Sequence, residues 1–283
     1  MSKIIKRLNP TIIKKTAARC REQGIVLPTF RQLRDPSRIP PATRRRLKRV
    51  GLWDVNPLNL YRITWKNDVK TGLYGGVNHV EIPRAITGVK ARVIGLVGKY
   101  FPTGAHKVGA AFGCLVPRLV SGEFDPERHR AVWPSTGNYC RGGAFDCALL
   151  DCTSIAILPE RMSRERFDWL EQLGSEIHAT PGSESNVKEV YDKTLQLAAE
   201  RPEEIVVLNQ FEEFGNAMWH YAVTGQAMEE VFTQNASEGQ RLAAVCLTQG
   251  SAGTLGCADY LRQRFPRITV AAGEALQCPT LLY

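Results

Sequence analysis

No stretch of eighteen or more apolar residues occurs anywhere in the 283 residues, which argues against a membrane span. The N-terminus, Met-Ser-Lys-Ile-Ile-Lys-Arg, has basic residues but no apolar core and no small-residue cleavage site, so a secretory signal is not expected. The eight cysteines (20, 114, 140, 147, 152, 246, 257 and 278) include no Cys-x-x-Cys pair, and no histidine pair stands at ligand spacing. Zinc is thereby disfavoured and no metal is expected. Cys114, Cys246 and Cys257 lie in apolar stretches, where a thiol acts as a small core residue. With no export signal, free thiols in a reducing cytoplasm are the expectation. Internal repeats are absent too. Apolar residues, at 43%, suffice for a globular core.

Acidic residues are scarce in one place only. Residues 1–50 carry 15 Lys/Arg against Glu22 and Asp35, while the remainder carries 22 Lys/Arg and 26 Asp/Glu. The basic character therefore belongs to a leading segment, densest at Arg44-Arg45-Arg46 and Lys48-Arg49. Such a cluster could serve an RNA, an anionic lipid or an acidic partner. No aromatic interleaving or base-reading motif accompanies it. A solvated helical arm lying on an acidic body is the favoured interpretation, and nucleic acid is disfavoured as a partner.

Pro36, Pro40 and Pro41 interrupt any helix in that arm. From Glu81 onward, short β-branched runs alternate with helix-compatible stretches. Strands are expected at about 91–97, 131–133, 154–158, 175–178, 204–208, 242–247 and 268–272. Helices are expected at about 107–120, 139–150, 163–173 (capped by Ser163), 183–200, 216–232 and 254–264. Alternation at this spacing implies parallel sheets with helices on both faces. Ligands in such sheets lie where strands give way to helices, which directs attention to loops 101–107, 134–138, 209–216 and 248–254.

Each loop carries polar or small residues. In the first, Gly104 permits close backbone approach, and Lys107 opens a helix. The helix dipole and partial desolvation there favour a neutral amine, the form that a Schiff base requires. Ser135, Thr136, Gly137 and Asn138 offer hydroxyls, an amide and backbone N–H groups to a carboxylate, or merely cap a turn. Asn209-Gln210-Phe211 could hydrogen-bond a ligand or simply make a turn. Gly250, Ser251, Ala252, Gly253 and Thr254 follow an apolar strand and open a helix, a pattern suited to an anion cradle. The loop lacks the Gly-Lys-Ser/Thr ending of a nucleotide P-loop.

Taken in order, these segments resemble the pyridoxal-phosphate (PLP) enzymes of fold type II, the β family that includes cysteine synthase and tryptophan synthase β. Pro-Thr-Gly-Ala-His-Lys at 102–107 resembles the lysine motif, and its Gly-Ala-His-Lys part is especially like tryptophan synthase β. Ser-Thr-Gly-Asn at 135–138 resembles the substrate-carboxylate loop of cysteine synthases and dehydratases. Asn-Gln-Phe at 209–211, followed by Asn216 and His220-Tyr221, resembles the family's Asn-Gln-Phe…Asn…His-Tyr stretch. Gly-Ser-Ala-Gly-Thr-Leu at 250–255 resembles its phosphate loop.

The resemblance implies two doubly wound α/β domains with parallel or mixed sheets, preceded by the basic helical extension. It assigns 1–55 to the extension, 56–116 and 206–283 to a large cofactor domain, and 117–205 to a small substrate domain. It implies PLP on Lys107, which would also be the catalytic base, with Asn138 and Gly250, Ser251, Ala252, Gly253 and Thr254 around the cofactor. Ser135, Thr136, Gly137, Asn138 and Gln210 would meet a small amino-acid substrate. The implied chemistry is β-replacement or β-elimination on a serine-, O-acetylserine- or cysteine-like amino acid through an aminoacrylate, in a cytoplasmic homodimer. The absence of an acidic residue from the 135–138 loop favours the cysteine synthase side.

Departures exist. Ala252 stands where glycine is common, and Gly98 where a polar or acidic residue is common. The chain stops at Tyr283, before the segment that would face the pyridine nitrogen. A truncated form of a longer protein, or completion by another chain, is the expectation. An inactive PLP-binding fragment is the alternative to an enzyme.

Overall fold

The computed structural model describes residues 7–135, 137–183 and 186–276. The leading segment folds as α1 (Pro10–Glu22), α2 (Phe30–Arg34) and α3 (Pro41–Leu47). Asn9 starts α1 by accepting the Ile12 amide, and Pro10 supplies a pre-set φ in the first turn. Thr29 and Gln32 form a reciprocal capping box on α2. The arm is tied to the body by Asn9 N–H donating to the Ser121 carbonyl at 2.8 Å and by Arg19 against Asp151 at 2.6 Å.

The body continues with β1 (His79–Ile82), α4 (Arg84–Thr87), β2 (Val93–Leu96), α5 (Lys107–Ser121), β3 (Arg130–Pro134), α6 (Asn138–Leu149) and β4 (Thr153–Pro159). Then come α7 (Arg164–Gln172), β5 (Glu176–Thr180), α8 (Val187–Glu200), β6 (Ile205–Val207), α9 (Phe214–Trp219) and α10 (Gly225–Asn235). β7 (Ala244–Thr248), α11 (Leu255–Arg264) and β8 (Thr269–Gly273) complete it. Among the described residues, no helix is long and apolar enough to cross a membrane.

Four parallel strands form the central sheet in the order β5-β4-β3-β6. Its strands are apolar on both sides because both sides are covered. Val132, Ile155 and Ile157 face Val190 and Leu197 of α8. The alternate residues Ala131, Trp133, Ala156 and Leu158 join the main core with Ala144, Phe145 and Leu170. β7 and β8 form a separate parallel pair, and β1 and β2 an antiparallel one. Among the described residues, two sheets are thus parallel and one is antiparallel.

α5 sits where three helices press backbone to backbone. A Cβ at Gly113 would lie 2.4 Å from the Gly215 carbonyl oxygen, and one at Gly215 would lie 2.1 Å from the Gly113 oxygen. α5 and α9 therefore cross through paired glycines. On its other side, a Cβ at Gly142 of α6 would stand 2.7 Å from the Val108 Cα; toward α9 again, one at Gly109 would enter the Trp219 ring at 2.1 Å. These glycines forfeit helix propensity of about 1 kcal/mol each and gain contact that no other residue allows.

Three local expectations change. Ser163 precedes α7 but makes no side-chain cap bond, because its backbone carbonyl takes up the Arg166 amide instead. The helix expected at 183–200 starts at Val187, with Asn186 before it. The helix expected at 216–232 is composite: α9 runs into a π-helical turn at His220–Thr224 before α10. Period-matching does not detect that inserted residue.

Gly215→Ala is expected to destabilise the fold by about 1–3 kcal/mol through overpacking. Gly76→Ala, whose Cβ meets open space, should leave stability near wild type. Urea unfolding midpoints compare the two, and equal midpoints would contradict the close helix crossing.

Candidate functional site

Strand order places the site. β3 continues to β4 on one side of the sheet, while β6 pairs on its other side. The loops leaving β3 and β6 therefore open a crevice at the carboxyl ends of adjacent strands, the usual ligand position in open parallel sheets. Tyr139 in the first turn of α6 is buried and donates its hydroxyl to the Leu208 carbonyl at 3.1 Å, fastening the two loops side by side.

Lys107 begins α5 beneath this crevice. Its Nζ donates to Gln210 Oε1 at 2.8 Å and to Ser251 Oγ at 3.2 Å. Asn216, buried in α9, donates its amide to Ser251 Oγ at 3.1 Å and to the Gln210 carbonyl at 3.0 Å. One amine thus joins the loop after β6 to the loop after β7. Burial lowers the Lys107 pKa from its ordinary value to about 8. Among the described residues no carboxylate is bonded to the amine to oppose that shift; its partners there are a neutral amide and a hydroxyl.

Asn209 plays a different part from Gln210. Its side chain accepts from the Phe211 amide and the Tyr191 hydroxyl and donates to Glu212, so it builds the turn. Glu213 anchors the loop end on Arg118 of α5 at 2.5 Å.

The loop at 250–254 forms a cradle. A Cβ at Gly250 would meet open space, and one at Gly253 would overlap the Asn216 side chain at 2.1 Å. Ala252 adopts φ +58°, the left-handed region in which a side chain is strained. The frequent glycine at this position has a backbone reason, distinct from cradle width. Thr254 precedes α11 and accepts from Gln249 Nε2 at 3.0 Å. Gln210, Phe211, Asn216, Ser251, Ala252 and Gly253 border a cleft of about 260 Å³. Asn216 Oδ1 and Gln249 Oε1 are buried without a hydrogen-bond partner among the described residues. A buried amine and a glycine-lined loop leading into a helix start fit a phosphorylated aldehyde cofactor.

Two histidines flank the amine from behind. His106 stacks on Trp65 at 5.6 Å and meets His220 edge-on at 5.4 Å. Burial brings His106 down to about 4 and keeps His220 well below its usual value, so both are neutral at pH 7. His220 Nδ1 pairs with Thr224, which also accepts from Trp65. Their meeting has no sequence signal, since His106 and His220 stand at no recognisable spacing.

Of the residues singled out by sequence, Lys107, Gln210 and Ser251 are directly bonded, with Ala252, Gly253 and Thr254 beside them. Ser135, Gly137 and Asn138 lie at the mouth of α6, where Gly137 N–H donates to Ser135 Oγ at 3.3 Å and Asn138 is exposed. Thr136 lies outside the described residues. Asn216, named by sequence only within a resembling stretch, proves to be the connector of the two loops. Arg141 and Trp53 near the α6 start had no sequence signal.

Three known proteins illustrate the similarity. Cystathionine beta-synthase of Saccharomyces cerevisiae is 27% identical over 198 residues, which are 69% of this chain and 38% of that protein. Cysteine synthase of Staphylococcus aureus is 29% identical over 212 residues, 75% of this chain and 66% of that one. The chain therefore spans less than two thirds of the length of either. The crystal structure of an O-acetylserine dependent cystathionine beta-synthase from Helicobacter pylori shares the fold, with a TM-score of 0.59 at 21% identity, covering 69% of this chain and 61% of that one. The family model described as "Pyridoxal-phosphate dependent enzyme" matches residues 83–282, well over half of the chain and all four of its loops. The chain belongs to the pyridoxal-phosphate dependent enzymes.

Proposed function

We propose that this chain carries out β-replacement or β-elimination on a small amino acid with a leaving group on Cβ, such as serine or O-acetylserine. The observation that carries this reading is the Lys107 amine, depressed to about 8 and bonded at once to Gln210 and Ser251. Relatives named cysteine synthase and cystathionine beta-synthase support the reaction class.

Pyridoxal phosphate, when bound, supplies an electron-withdrawing ring that makes the Cα proton of an attached amino acid acidic. The chain's own residues do the rest. Gly250, Ser251, Ala252, Gly253 and Thr254, at the positive end of α11, would hold the phosphate. Ser251 already accepts from Lys107 and Asn216, so its hydroxyl proton is free to point to an anion. Ser135, Thr136 and Gly137, with the α6 N-terminus, would hold the substrate carboxylate, and Asn138 would stand beside the cofactor's phenolic oxygen. Gln210 keeps the Lys107 amine on the substrate side. Lys107 would receive the Cα proton and return it. His106 and His220, both neutral, place no second cation behind the amine.

The division into an extension at 1–55, a large domain of 56–116 with 206–283 and a small domain of 117–205 is likewise our reading. β6 extends the small sheet through Val207, close to that boundary. A cytoplasmic homodimer follows from the resemblance, and sedimentation of the purified chain tests the dimer.

Two measurements test the site. Lys107→Ala should abolish both the visible absorbance band formed with pyridoxal phosphate and turnover of O-acetyl-L-serine; turnover retained in this variant would refute the assignment. The neutral amine is the nucleophile, and half of it is neutral at about pH 8. The rate of band formation in the wild type should therefore rise with pH and level off above about 8. A rise continuing toward the ordinary lysine value would show that the amine is not desolvated.

A further inference from the structure

The basic leading segment behaves in two ways. On α1, Lys15 stands 3.9 Å from Glu127 and Arg19 pairs with Asp151 at 2.6 Å, as an arm lying on an acidic body would. On α3 and the turn after it, Arg44, Arg45, Arg46, Lys48 and Arg49 are exposed. Among the described residues, none of these five has a carboxylate within ion-pair distance. The acids nearest to them in the chain are taken up by their own turns: Asp35 by Ser37 and Arg38, Asp54 by the Gly51 amide and Asp68 by Thr71.

What lies beneath holds these cations in place. Leu47 is fully buried with Ile39, Leu58 and Tyr61. The buried Arg62 donates to the Leu47 and Val50 carbonyls at 2.8 and 2.7 Å. Carbonyls at a helix end attract cations, but here Arg62 already meets two of them. Arg44 and Lys48 stand four residues apart, with Lys48 still helical in its dihedrals, so their like charges face each other unfavourably. Arg44, Arg45 and Lys48 line a cleft of about 340 Å³ with Pro41, Leu73 and Tyr74. The Tyr74 hydroxyl donates to the Tyr61 carbonyl at 3.1 Å and fixes that wall.

We propose that this cleft binds a small anion carrying several phosphate groups, with Arg44, Arg45 and Lys48 as its cations. Three positive charges and no acid among the lining residues call for an anion of more than one charge. Guanidinium forks match phosphate oxygens two at a time, and the ammonium adds a point charge. The volume is that of a small-molecule site, and Leu73 and Tyr74 close one side of it, which suits a compact ligand. A nucleic acid strand would need a row of exposed rings on which to stack its bases. Tyr74 is the one aromatic side chain in the lining, and its hydroxyl is tied down. The site shares no residue with the cleft at Lys107 and does not depend on the reading given above.

The test uses the full chain, loaded with pyridoxal phosphate and freed of excess, and titrates it calorimetrically with tripolyphosphate at about 0.15 M salt. The wild type should saturate with one anion per chain. Arg44→Gln, Arg45→Gln and Lys48→Gln should each raise Kd by about tenfold, the scale of a lost charge-assisted hydrogen bond. Arg46→Gln and Arg49→Gln, cations of the same segment outside the cleft lining, should stay within about twofold of wild type because salt screens them. Urea midpoints of the unliganded variants should match wild type, which separates lost binding from lost fold. Equal losses in all five variants would show a diffuse basic surface and overturn the proposal. An unchanged Kd in all five, which puts the anion elsewhere, overturns it as well. So does a single-stranded oligonucleotide that binds more tightly than tripolyphosphate with a steeper salt dependence, the mark of an extended nucleic-acid surface.

Discussion

The contact on which the site depends is the backbone-to-backbone approach of α5 to α9 and α6. Lys107 is the first residue of α5, and its 2.8 Å bond to Gln210 survives only if that helix start is held to a fraction of an ångström. Side chains between helices would set the axes farther apart and leave room for slippage. Gly113 against Gly215, and Gly142 against Val108, remove that room. Interiors packed this way are stiff, so a methyl introduced at the crossing would displace the amine as well as destabilise the core. α9, which carries Gly215, also carries Asn216, the next residue. The glycine that fixes the helix and the amide that joins the two loops are therefore adjacent in sequence for a geometric reason.

Around that fixed point, the loops divide the work according to the strands that deliver them. β3 and β6 end side by side, so their loops can be tied by the Tyr139–Leu208 bond and face one ligand. The third loop comes from the separate β7–β8 pair, and it reaches the same amine only because α11 packs on α9. A Cβ at Gly256 would lie 2.1 Å from the Ala217 carbonyl oxygen. The loops after β6 and β7, delivered by different sheets, border one cleft. Lys107 and Asn216, each bonded to both loops, tie the two sheets together at that cleft.

Much of this was legible in the sequence because its causes are local. Short, continuous apolar runs became β3 and β4, and Gly-rich or amide-rich turns became the loops that surround Lys107. What escaped has causes at a distance. A glycine inside a helix reads locally as a cost, and only the facing helix shows why they are there: its backbone for Gly113 and Gly215, the Trp219 ring for Gly109. The π-helical turn at His220–Thr224 inserts one residue into a pattern that otherwise continues. Ser163 has the residue type of a cap, but its local backbone satisfies the turn without the side chain. Trp53, Arg141 and Trp169 come from three separate segments and meet only in the fold, as do His106 and His220.

Holding the amine near neutrality works against folding. A lysine that titrates at about 8 instead of its ordinary value costs roughly 3 kcal/mol of stability at neutral pH, taking about 1.4 kcal/mol for each unit. The sign follows from proton binding. Between about 8 and the ordinary value, the unfolded chain holds the proton that the folded chain has released, so stability rises with pH through that window. Below about 8 the charged amine is kept in a poorly solvated place, and the full cost applies. Against a total of 5–15 kcal/mol for a typical domain, this is a substantial fraction. It is borne because the two neutral partners, Gln210 and Ser251, solvate the amine without a negative charge that would restore its ordinary affinity for protons. The glycine crossings supply the rigidity that keeps water from doing so. The reactive state of Lys107 is thus a property of the packing around α5, and the side chains that touch the amine only direct it.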